Sequence, residues 1–186
     1  MAPDVCGWTR VKYSLVLAVT AMTVPPSVSA FEGELQLGAD LSYVHEFQTA
    51  TNNPGGRVAL RGGYAVTDYL AVTAYTSWSG LAARDIADES QGPLELRQYI
   101  TATAGVIYAL DVLRVVPFMG LGLGVGAIHQ GQWSTSFLIS ALAGFDWKWT
   151  HDWSTGFEVA YELLLGTDII PARLCFSLRM SWHHLL

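Results

Sequence analysis

Arg173-Leu174-Cys175-Phe176-Ser177-Leu178-Arg179-Met180-Ser181-Trp182 alternates without a break. Successive side chains of an extended strand point to opposite faces, so Leu174, Phe176, Leu178, Met180 and Trp182 share one side while Arg173, Cys175, Ser177, Arg179 and Ser181 share the other. One face suits lipid and the other suits a polar interior. The same period-two code recurs in seven earlier segments, at about 34–48, 57–66, Leu70 to Trp78, 95–109, Met119 to Val125, 133–149 and 153–165. Eight such strands predict an all-β fold, an antiparallel up-and-down transmembrane barrel.

A soluble sandwich alternates as well, but it turns its apolar face inward and leaves charges in water. The chain has 51% hydrophobic residues, 14% charged residues and seven Trp. That balance suits a barrel whose exterior faces lipid.

Residues 1–30 read as a cleavable secretory signal peptide: Arg10 and Lys12 precede an apolar run from Leu15 to Val24, and Val28-Ser29-Ala30 offers small residues for cleavage. The run is about ten residues, half of what a spanning helix needs. Residues 31–186 then form a single barrel domain. Losing Asp4, Arg10 and Lys12 takes the net charge from −6 to −7, which disfavours nucleic acid as a partner. Cys6 leaves with the leader, so Cys175 stands alone and no disulfide framework is possible. An inert, inward-facing thiol is expected.

The inner face gathers charge of both signs. Asp40, Arg61, Arg97, Glu158, Glu162, Arg173 and Arg179 are all in the polar phase, with Glu34 and Glu46 on the inner side of strand one and Asp146 and Lys148 near a rim. An eight-stranded barrel is narrow enough for side chains to fill, so these charges are expected to pair into a plug. The alternative is a narrow pore, in which the same charges set selectivity, or a carrier of small apolar molecules. In strand five Gly120, Gly122, Gly124 and Gly126 form a bare inner strip that would leave room for such a path. A soluble lipid-carrying barrel, with the faces reversed, is a third arrangement.

Aromatic residues collect toward the strand ends. Tyr64, Tyr108, Trp147, Trp153 and Trp182 mark one end, and Tyr43, Trp78 and Trp133 lie nearer the other, as girdles at the headgroup level would. Short turns at Thr67-Asp68, Leu110-Asp111 and His151-Asp152 recur at one end, and the longest connection, 79–94, lies at the other. That asymmetry places both termini in the periplasm of a Gram-negative-type cell. The connection from His129 to Gln132 is too short for an outer loop, and a slipped strand boundary is the simplest account.

No catalytic or metal site is expected and no cofactor is implied. His151-Asp152-Trp153-Ser154 contains hydrolase residue types but lies in a turn, where neighbours point apart. Asp85, Asp88 and Glu89 lack calcium-loop spacing. His183-His184 reads as a frayed tail.

Gly63-Tyr64 to Asp68-Tyr69-Leu70, Tyr108 to Asp111, Pro117-Phe118-Met119-Gly120-Leu121-Gly122 and the alternating last strand together resemble the small eight-stranded outer-membrane barrels, the OmpA-type β-barrel family. The similarity spans residues 31–186. It implies an integral outer-membrane protein of a family that includes structural anchors, adhesins, narrow pores and a few lipid-modifying enzymes. A structural, anchoring or surface-interaction role is expected, and no enzymatic activity, because the His-x-Ser arrangement of the lipid-modifying members is absent from this chain. The implied partners are outer-membrane lipids, the barrel-insertion machinery and surface or envelope proteins. Family members usually end on an aromatic that the insertion machinery reads, whereas Trp182 here is followed by His183, His184, Leu185 and Leu186.

Overall fold

A computed structural model describes residues 32–48, 51–83, 95–110, 114–166 and 171–185. The expected leader at 1–30, the residues at 84–94 and the Asp85, Asp88 and Glu89 cluster lie outside them. Eight strands follow one another in chain order: β1 (Glu34–Gln48), β2 (Thr51–Ala65), β3 (Leu70–Ala83), β4 (Glu95–Ala109), β5 (Val115–Gln130), β6 (Gln132–Lys148), β7 (Trp153–Leu165) and β8 (Ala172–Leu185). Each pairs antiparallel with the next, and β8 closes on β1. Closure leaves no unpaired sheet edge around the body of the barrel, as a strand-built membrane span requires.

The stagger of the barrel can be read from its ladders. From Asp40 the register leads through Ala59, Ser77, Thr101 and Gly126 to Ser136 in one direction. In the other it leads through Arg179 and Gly156 to Asp146, on the same strand but ten residues further along. Eight strands with that offset tilt by roughly 40° and enclose a backbone radius of about 8 Å. Side chains fill such a bore.

Alternation decides which side chains enter it. Outside, Phe145, Phe157, Leu178, Leu41, Val58, Trp78 and Ile100 form one continuous ladder row across seven strands. Leu41, Leu60, Leu121 and Leu178 are each about 65% exposed. A band this large and apolar marks a surface made for something other than water. Inside lie the charged residues and a smaller apolar group that includes Val44, Leu81, Leu138, Leu164 and Phe118.

Several details differ from the sequence reading. β2 begins at Thr51, not near 57, because residues 51–54 add to β1 alone; β3 first pairs at Gly55. Pro54 therefore sits where no neighbour asks for its missing N–H. β3 runs on to Ala83, so Ser79, Gly80 and Leu81 belong to the sheet and not to the long connection. The β5–β6 connection is truly a single residue: Gln130 pairs with Gln132 across Gly131, whose φ of 73° admits glycine readily. No strand boundary has slipped there.

The two tight ends on β2–β3 and β6–β7 are built alike. Thr67 Oγ1 accepts from the Leu70 N–H at 3.1 Å, and Thr150 Oγ1 accepts from the Trp153 N–H at 3.1 Å. A threonine hydroxyl thus takes over a backbone donor at each turn. These mark the turn end of the barrel; β1–β2, β3–β4, β5–β6 and β7–β8 meet at the opposite, loop end.

Candidate functional site

The expected lumen residues Asp40, Arg61, Arg97, Glu158, Glu162, Arg173 and Arg179 all point inward and are all engaged in ion pairs. They fall into three levels. Nearest the loop end, Glu46 accepts from Arg97 at 3.0 Å, from Asn53 at 3.2 Å and from the Tyr99 hydroxyl.

Below it Glu162, fully buried, is held from two sides by Arg57 Nη1 and Arg173 Nη2, each at 2.6 Å. Arg57 also reaches Ser42 and Ser177, and the Tyr75 hydroxyl completes the carboxylate's shell at 3.3 Å. Arg173 lies over the Tyr99 ring at 4.7 Å, which ties this level to the one above.

The third level is a chain of five. Asp40 pairs with Arg61 at 2.9 Å, Arg61 with Glu158 at 2.7 Å, Glu158 with Arg179 at 3.4 Å, and Arg179 with Asp146 at 2.6 Å. The Phe118 ring closes beneath Arg179 at 4.2 Å. Counted over the three levels, Arg57, Arg61, Arg97, Arg173 and Arg179 balance Asp40, Glu46, Asp146, Glu158 and Glu162. The network is neutral, as a low-dielectric interior demands.

The glycine strip of β5 does not leave the room expected of it. A Cβ built on Gly122 would lie 2.6 Å from Ser140 Oγ, and one on Gly126 would lie 2.8 Å from a Leu164 methyl. Side chains of the facing strands occupy that space. The glycines are there because their neighbours fill the bore, so the strip offers no path.

Two groups escaped the sequence reading. Arg57, the first residue of the alternating stretch at 57–66, is not among the expected inner charges, although it stands in phase with Ala59 and Arg61. His183 was expected in a frayed tail, but β8 continues through it and it is 3% exposed. Its Nε2 lies 2.7 Å from Ser154 Oγ and its Nδ1 meets Glu34. Continuing the alternation from Ser177, Arg179 and Ser181 by one more step would have placed it inside. His151 and Asp152 instead form an exposed pair in the turn at 3.1 Å. Cys175 is free and fully buried.

Tyr43, Tyr64, Trp78, Tyr108, Trp133, Trp147 and Trp153 are exposed on the outer face, and Trp182 is half-buried there, stacked on His184. Among the described residues no group of three or more His, Cys, Asp or Glu side chains could hold a metal ion.

No protein-family model matches the chain, and no curated protein does. Solved structures do. Neisserial surface protein A is 15% identical over 83% of this chain and 100% of its own, with a TM-score of 0.64. The outer membrane protein OprG from Pseudomonas aeruginosa is 11% identical over 83% and 97%, with a TM-score of 0.59. The outer membrane enzyme PagL is 16% identical over 76% and 97%, with a TM-score of 0.51. The chain has the fold of the small eight-stranded outer-membrane barrels. That fold carries proteins named for the cell surface and at least one enzyme, so it assigns no activity by itself.

Proposed function

We propose that this barrel is an integral protein of a Gram-negative outer membrane, with its termini in the periplasm and a structural, anchoring or surface-contact role exerted at its loop end. The observation that carries this reading is the closed, neutral lumen. Five arginines and five carboxylates bond to one another across the bore, and buried charges so arranged hold the strands in one register. A bore filled in this way favours a plug over a pore or a carrier. The apolar outer band supplies the surface for outer-membrane lipids. The resemblance to a Neisserial surface protein supports a role on the outside of the cell. Partners at the loop end would be surface or envelope proteins, and the strand pattern supplies the substrate of the barrel-insertion machinery.

Conductance separates plug from pore. Folded protein, identified by a gel shift on boiling, would be inserted in a planar bilayer and compared with Arg61→Ala and Arg179→Ala. No stepwise conductance is expected of the native protein, with the variants losing stability. Stable, ion-selective steps whose size changes in the variants would replace this reading with a pore.

A further inference from the structure

At the turn end three strands each bring one polar side chain to a common point. Glu34 opens β1, Ser154 is the second residue of β7 and His183 lies near the end of β8. Ser154 Oγ is 2.7 Å from His183 Nε2, and the other ring nitrogen, Nδ1, meets Glu34 Oε1. All three are buried, at 1%, 3% and 5% exposure for Ser154, His183 and Glu34. Gln36 donates to the same Glu34 oxygen at 3.2 Å and fixes the carboxylate.

The protonation follows from the partners. A carboxylate accepts and cannot donate, so in the neutral imidazole His183 Nδ1 carries the proton toward Glu34 and Nε2 accepts from the Ser154 hydroxyl. A hydroxyl bonded to an unprotonated ring nitrogen, itself oriented by a carboxylate, is an activated nucleophile. Two other lumen hydroxyl pairs bond without such a relay: Ser42 with Ser177 at 2.9 Å and Ser77 with Thr101 at 2.7 Å. Lys148 stands opposite Ser154 in the β6–β7 ladder, one strand pair from the trio.

We propose that Ser154 is the nucleophile of an acyl-transfer site at the turn end of the barrel, with His183 as general base and Glu34 as its positioning residue, acting on carboxylic esters with a compact acyl group. Ser154 Oγ attacks the ester carbonyl carbon while its proton passes to His183 Nε2. The ester C–O bond then breaks, and the same proton leaves with the alkoxide as an alcohol. Water attacks the acyl-serine, gives a proton to His183, and releases the carboxylic acid as Ser154 recovers its hydrogen. The deep burial of Ser154 limits the acyl group to a small one.

The test uses the full-length protein, folded in detergent, and a small organophosphorus probe, diisopropyl fluorophosphate. One adduct is expected, located by mass spectrometry on Ser154, in unboiled protein and not in boiled protein, accompanied by hydrolysis of p-nitrophenyl acetate. His183→Gln and Glu34→Gln that retain the gel shift should react at least ~100-fold more slowly, whereas Glu34→Asp should stay near the native rate. Where a variant fails to fold, the adduct on the native protein decides. Absence of an adduct on folded native protein, an adduct elsewhere, or rates unmoved by the substitutions would each overturn the proposal and leave the trio as a staple between the first and last strands.

Discussion

Two walls face each other across the lumen. β7, β8, β1 and β2 supply eight of the ten charges in the neutral network, while β3 to β6 add only Arg97 and Asp146. The second wall is lined by glycines, hydroxyls and apolar side chains such as Leu138, Leu142 and Phe118. One wall carries the long charged side chains and the other receives them: Arg173 and Arg179 come to rest against the Tyr99 and Phe118 rings. The charged wall also contains the β1–β8 closure, where the chain's two ends must find each other. Charge pairs with a single correct register specify that meeting better than apolar contact would.

The difference can be broken most severely on the charged wall. Glu162→Ala would leave Arg57 and Arg173 facing each other without their shared carboxylate, and a loss of about 3–5 kcal/mol is expected in urea unfolding followed by the gel shift. A smaller loss, close to that of a surface substitution, would mean that the two arginines find other partners. Leu123→Arg, on the outer face of the quiet wall, should cost about 2–4 kcal/mol in lipid vesicles, since that face meets hydrocarbon. A neutral outcome there would deny the membrane-spanning arrangement.

Gly124→Val tests the quiet wall from inside. Even a Cβ at this position would lie 2.2 Å from the Ala102 carbonyl oxygen, so the substitution should cost about 1–3 kcal/mol by the same assay. Gly131→Ala is the mildest, about 1 kcal/mol for a left-handed backbone position with open space around it. If Gly131→Ala proved as costly as Glu162→Ala, turn geometry rather than lumen pairing would control the barrel.

The two walls were not equally legible. Alternation alone gave the outer face of every strand, because lipid and lumen demand opposite chemistry at every step. It also gave the inward phase of Arg61, Arg173 and Arg179. Alternation falls short at residues 51–56, where Asn52-Asn53-Pro54-Gly55-Gly56 carries no two-residue period; pairing with β1 extends the strand there, and Pro54 faces no strand on its other side. His183 is a second such place, since the residues after Trp182 read as a tail and β8 instead continues through them. Which arginine meets which carboxylate depends on a ten-residue stagger accumulated around the barrel, and no local pattern carries that. The Ser154–His183–Glu34 line joins residues up to 149 apart in sequence and was invisible for the same reason.

Cys175 gives this architecture a built-in clock. It is the sole thiol of residues 31–186 and lies fully buried on the charged wall, beside the seam where β8 meets β1. A small maleimide can reach it only when the lumen packing or a neighbouring strand pair opens. The rate at which the native protein takes up the reagent therefore reports how often the barrel opens, with no probe introduced and no bond removed.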